Sequence, residues 1–176
     1  MPWDQLSHMS QKTLKIIYYV YAHSIMNYGL LFWGHSSISA KICRLQKNVM
    51  KIILGHRSRG SCRNLFMKLK MLSLLSQYIF SLHLFVIKNR NQYTFNSRIH
   101  HINTRQHTNF HQPLPSLTEY QKGTYSLVIK VYNELPSYIK DVSDNPNRFK
   151  SILKDFLYKN SFYSLDEYFQ LNKNQY

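Results

Sequence analysis

Apolar side chains recur along this chain at intervals of three and four over most of its length, the spacing that lays them along one side of an α-helix. After Ser10, which is placed to cap a helix, Leu14, Ile17, Tyr18, Tyr21, Ile25 and Tyr28 keep that spacing until Gly29 relaxes it. A second helix is predicted from near Ser37, with Ile38, Ile42, Leu45, Val49 and Ile52 as its apolar stripe and Gly55 as its stop. A short helix from Asn64 to Lys70 carries Leu65, Phe66 and Leu69. A longer one carries Leu75, Tyr78, Ile79, Leu82, Phe85 and Val86 and ends near Asn89. From Asn91 to Pro115 the periodicity disappears and Asn, His, Gln and Thr take over, which predicts a long irregular connection.

Beyond that connection, Tyr125 to Leu135 is ambiguous. Tyr125, Leu127, Ile129 and Val131 alternate as in a strand, while Leu127, Val128, Val131 and Leu135 fit a helix, which is the reading adopted. Asn145 followed by Pro146 signals a helix start, and Phe149, Ile152, Leu153, Phe156 and Leu157 follow at helical spacing. Ser164 and Glu167 have the spacing of a capping box for a last short helix. The expected fold is mainly α: a basic helical domain over residues 1–90, a polar His/Asn-rich connection over 91–118, and a small helical C-terminal unit over 119–176.

Charge changes this picture more than composition does. The 176 residues are 44% apolar, enough to build a core, and carry 23 Lys and Arg against 8 Asp and Glu. No carboxylate lies between Asp4 and Glu119, so the whole excess of +15 falls within residues 5–118. Such a block repels itself unless a polyanion neutralises it. Nucleic acid is the natural partner, an anionic membrane surface is second, and a basic but idle surface is the alternative. On the second helix Arg44, Lys47 and Lys51 gather within about 60° of one another, away from the apolar stripe. The segment HRSRGSCR, residues 56–63, adds Arg57, Arg59 and Arg63. With Lys41, these seven cations are the candidate phosphate contacts, and none of them is a candidate catalyst.

The residues for other chemistry are missing. Two-metal polymerases and nucleases need clustered carboxylates, which a carboxylate-free stretch does not hold, and the acidic side chains after it fit solvated helix faces and caps. His100, His101, His107 and His111 crowd the polar connection, but no cysteine or carboxylate lies near enough in sequence to complete a zinc shell. Ser58, Ser61 and Cys62 have no orienting base, and no GxxxxGK loop occurs. Cys43 and Cys62 belong to no CxxC pair, so a reducing, intracellular compartment is the default and no disulfide framework is expected. No signal peptide is expected at Met1 to Ser10, and Leu72 to Ile87 is too short and too polar to cross a bilayer, so a soluble chain is expected. Neither a cofactor nor a metal is expected.

The order of segments resembles the C-terminal portion of the reverse transcriptase of non-LTR (LINE-like, jockey-type) retrotransposons, the part that follows the palm. The matching stretches are LKIIYYVYAHSIMNYGLLFWG at 14–34, ISAKICRLQKNVMKIILG at 38–55, SCRNLFMKLKML at 61–72 and YIFSLHLFVIKN at 78–89. They continue with HHINTR at 100–105, VYNELPSYIK at 131–140, FKSILKDFL at 149–157 and FYSLDEYF at 162–169. The resemblance implies that the first helices form a thumb, the subdomain that closes on template and primer. In that reading NYGLLFWG is the corner between two thumb helices. Tyr28, Leu31, Phe32 and Trp33 would anchor it in the core while Gly29 and Gly34 let the backbone reverse.

The family's fingers and palm, with their aspartate box, are missing from this sequence, so the chain taken alone should be inactive as an RNA-directed DNA polymerase. The implied partners are RNA or an RNA/DNA template-primer, together with the fingers and palm of a full-length polymerase, and no membrane. A stand-alone basic nucleic-acid-binding helical protein, or an inert remnant of a degraded element, are the alternatives.

Overall fold

The structure, a computed structural model, describes residues 9–55, 61–99, 109–112 and 124–173. The described residues are mainly helical, and their extended pairing is an isolated antiparallel bridge between Phe95 and Phe110. Among them no single helix is long and apolar enough to cross a membrane.

Helix α1 (Gln11–Ile17) begins as its sequence predicts, with the Ser10 hydroxyl accepting from the Thr13 N–H at 3.2 Å. It runs into a π-helical turn, Tyr18–His23, and then into Ser24–Asn27. In an α-helix every fourth residue lies about 40° further round. A π-turn, bonded from i to i+5, winds more slowly and takes back part of that drift. Leu14, Tyr18, Ala22 and Met26 therefore share the packed side. Tyr21 and Ile25, members of the predicted stripe, are left 67% and 73% exposed.

Helix α2 (Ile38–Ile53) also turns a different side inward from the one predicted. Gln46, Met50 and Ile53 are buried, whereas Ile38 and Leu45 of the expected stripe are 57% and 64% exposed. The buried side of α2 meets α1 and the short helix α3 (Arg63–Leu69) in a small core that includes Leu14, Tyr18, Met50, Ile53, Phe66 and Leu69.

The larger core forms around α4 (Leu74–Lys88), capped by Ser73, whose hydroxyl accepts from the Ser76 N–H. Helices α5 (Thr124–Asn133), α6 (Pro146–Asn160) and α7 (Leu165–Lys173) contribute Val128, Ile129, Phe149, Leu153, Leu157 and Tyr168 to it. The helical reading of Tyr125 to Leu135 holds, as does the start at Asn145, whose side chain accepts from the Arg148 N–H. Because α4 shares this core with α5 and α6, the boundary expected at 91–118 divides no hydrophobic core. Phe110, from within that stretch, is itself 1% exposed. The Asn133 side chain holds it by the backbone, accepting from the Phe110 N–H at 2.8 Å and donating to the Phe110 carbonyl at 2.9 Å.

A buried amide joins the two cores. Gln46 Nε2 donates to the Tyr18 hydroxyl at 2.8 Å and to the Leu72 carbonyl at 3.0 Å, and its Oε1 accepts from the Leu74 N–H at 2.7 Å. One side chain thus ties α1, α2 and the start of α4. Replacing it with leucine would leave those buried groups without that partner, at about 1–3 kcal/mol for each group left unsatisfied. Gln46→Leu is expected to lower the urea midpoint of the full chain clearly, and an unchanged midpoint would show that the tie carries no stability.

Candidate nucleic-acid interface

Helix α2 presents three sides. One packs through Cys43, Gln46, Met50 and Ile53; a second carries Ile38, Ile42, Leu45 and Val49; the third carries Lys41, Arg44, Lys47 and Lys51. Sequence order alone puts these four cations on one helix face, and the packing leaves that face outward. Lys41 and Arg44 are exposed, while Lys47 and Lys51 are half-buried. Lys41, Arg44 and Lys51 enter no ion pair among the described residues.

Lys47 and Arg63 are engaged already. The Lys47 Nζ lies 3.8 Å from the centroid of the Tyr163 ring, and the Arg63 guanidinium lies 5.1 Å from the same ring. Arg63 is also ion-paired with Glu167. The second carboxylate oxygen of Glu167 accepts from the Tyr163 N–H at 2.9 Å, and the Ser164 hydroxyl accepts from the Glu167 N–H at 3.1 Å. The capping pair read from the sequence therefore forms, with Glu167 reaching back one residue further than a standard box. Burial pushes the Tyr163 phenol up to about 12, so it stays neutral between its cations. Arg57 and Arg59 lie outside the described residues.

The corner is built from different residues than its aromatics imply. Tyr28 and Phe32 are each 87% exposed and do not anchor it. Leu30, 2% exposed, is the buried member, with Leu31 and Trp33 packed at the edge of the larger core. Aromatic size favours burial, but a single turn of helix, Leu30–Trp33, has only one inward side, and Leu30 takes it. The Trp33 indole N–H donates to the Tyr28 carbonyl at 2.8 Å, closing the bend.

The two glycines also differ. Gly29 has φ +64°, which an L-residue adopts at about 1–2 kcal/mol, so Gly29→Ala should cost about 1 kcal/mol in a urea titration. Gly34 has φ −61°, open to any residue, and is needed for space instead: a Cβ there would fall 2.7 Å from Tyr78 Cγ and 2.7 Å from the Leu30 carbonyl oxygen.

Among the described residues no three His, Cys, Asp or Glu side chains gather as metal ligands, and His100, His101 and His107 lie outside them. Cys43 and Cys62 are unbridged thiols. Gln46 and Tyr163 were missed from the sequence. Gln46 leaves one signal, its place four residues from both Ile42 and Met50 in an otherwise apolar row. Comparison with protein-family models, curated proteins and solved structures returns no match.

Proposed function

We propose that this helical body binds nucleic acid by its sugar-phosphate backbone, as the thumb and post-thumb part of a retrotransposon-type reverse transcriptase, and takes no part in the chemistry. The observation that supports this reading best is the cationic side of α2. Its four Lys and Arg residues lie on one rigid rod whose other sides are packed or apolar, within a stretch of sequence free of carboxylates. Rigid spacing favours phosphate binding, because the backbone that carries the cations is ordered before contact and only their side chains lose freedom on meeting the strand. Lys41, Arg44 and Lys51 are the leading contacts. Lys47 would add its charge from over Tyr163, and Arg63 would orient that ring while held by Glu167. The missing fingers and palm would supply the catalytic aspartates.

The test is fluorescence anisotropy of the full chain with a labelled RNA–DNA hybrid. Reversing two exposed or half-exposed cations, Arg44→Glu with Lys51→Glu, is expected to weaken binding by about tenfold or more, equivalent to about 1.4 kcal/mol. Unchanged affinity in a variant that still melts cooperatively would remove α2 from the interface.

A further inference from the structure

Helix α7 brings a carboxylate to a face that the nearby sequence leaves without one. No Asp or Glu occurs between Asp4 and Glu119, yet Glu167, from the first turn of α7, meets Arg63 in one of the two ion pairs among the described residues. The other, Arg90 with Asp144, involves no candidate phosphate contact. Through Tyr163 the Arg63–Glu167 pair adjoins the cationic side of α2, because Arg63 and Lys47 lie over the same ring. One negative charge therefore sits beside the proposed interface.

Two donors from different parts of the chain hold this carboxylate. Its Oε1 accepts from the Arg63 guanidinium, and its Oε2 accepts from the Tyr163 N–H at 2.9 Å. Arg63 thus gives Glu167 one nitrogen, and its buried Nε has no hydrogen-bond partner among the described residues. A phosphodiester carries two unbridged oxygens on one phosphorus and can take two guanidinium nitrogens at once, which is the stronger arrangement. The side chains of the pair are 40% and 33% exposed, and an ion pair with that much access to water holds weakly against a competing anion. Exchange is therefore open to a phosphate drawn in by the cations of α2.

We propose that Glu167 occupies, from within the chain, a further phosphate subsite of the α2 interface, and that a backbone phosphate of the bound strand displaces it from Arg63. The inference rests on the reading of α2 as a phosphate-binding side. While Glu167 holds Arg63, the interface works with the four cations of α2; once released, Arg63 adds a fifth. A free phosphate must compete with Glu167 from solution. A strand already anchored on α2 presents its next phosphate at high effective concentration, so the exchange favours a polyanion over a small anion.

The test is fluorescence anisotropy of the full chain with a labelled RNA–DNA hybrid over a salt series, for Glu167→Gln, Arg63→Gln and the double variant. Glutamine keeps an acceptor oxygen for the Tyr163 N–H, so Glu167→Gln should melt at the parental temperature. This variant is expected to bind about threefold more tightly or better, with the slope of log K against log salt steeper by about 1. Charge alone would make the effects of the two substitutions independent, whereas competition couples them. Arg63→Gln is therefore expected to cost at least about threefold more affinity in the Glu167→Gln background than in the parent. Asp166→Asn, the same change of charge at the exposed neighbouring position, is expected to tighten binding less. Equal gains from Asp166→Asn and Glu167→Gln, or a cost of Arg63→Gln that is the same in both backgrounds, would overturn the proposal while leaving α2 as the interface. Absence of hybrid binding in every variant and in the parent would overturn the phosphate-binding reading of α2, and this proposal with it.

Discussion

Gly34→Ala is expected to destabilise the chain by about 2–3 kcal/mol, the upper part of the range for forcing atoms into a filled site. The cause is contact alone. Gly34 is buried against the ring of Tyr78, itself 2% exposed on α4, and a methyl group has no room between that ring and the Leu30 carbonyl. Backbone conformation plays no part at φ −61°. The Gly29→Ala change five residues earlier supplies the contrast, because nothing closer than 3.7 Å would meet its Cβ and its whole cost lies in the positive φ. For a chain of this size each kcal/mol moves the melting temperature by about 2–4 °C. Thermal melts of the two variants should therefore rank Gly34→Ala well below Gly29→Ala. Trimming Tyr78 to leucine should make the Gly34→Ala change cheaper than in the parent, since the two residues share one space. Equal melting of both alanine variants would mean that the corner does not depend on close approach to α4.

Acid is expected to unfold the chain through His83. This side chain is fully buried on α4 among Tyr132, Phe149 and Tyr168, with ring centroids 6.1–6.4 Å away. The Tyr168 hydroxyl donates its proton to the Val131 carbonyl at 3.0 Å, so at the 3.2 Å contact His83 Nε2 must be the donor. Nδ1 is then a bare lone pair, with no hydrogen-bond partner among the described residues. Burial first, and the nearby Lys140 charge second, push the imidazole down from 6.5 to about 3. The unfolded chain binds this proton from pH 6.5 downward and the folded one only near pH 3. Stability is therefore whole above pH 6.5 and falls as pH drops toward 3, by about 1.4 kcal/mol per pH unit. Between pH 6.5 and 5 the loss attributable to His83 is about 2 kcal/mol. His83→Leu is expected to flatten that part of the profile. His23, also lowered by burial, adds a slope of the same sign in both proteins. Urea midpoints at pH 6.5 and 5 decide the matter, and equal slopes for parent and variant would contradict a neutral buried imidazole.

The sequence carried the helices further than it carried their orientation. Asn145-Pro146, Ser10 and the period of Tyr78, Ile79, Leu82 and Val86 are local signals, and the structure has the corresponding caps and buried positions. Periodicity identifies an apolar side without saying what covers it. On α2 the predicted stripe is exposed at Ile38 and Leu45 and only half-buried at Ile42 and Val49, and the buried side includes Gln46, whose three hydrogen bonds depend on partners 26 to 28 residues away. The π-turn that swings Tyr21 and Ile25 outward has no marker at the level of residue type. Phe32 and Tyr28 illustrate the same limit, because size argues for burial only when an inward position exists. Of the candidate site, the cationic side of α2 was legible from 100° spacing. The engagement of Lys47 and Arg63 with Tyr163 and Glu167 was not, since it joins residues 100 or more positions apart in the chain.

The phosphate-binding claim rests most directly on the salt dependence of affinity for an RNA–DNA hybrid. With Lys41, Arg44, Lys47 and Lys51 each neutralising one phosphate, log K should fall against log salt with a slope of about −3.5, and Arg44→Ala or Lys51→Ala should each make it shallower by about 1. A slope near zero, or a steep slope that neither substitution alters, would contradict the account.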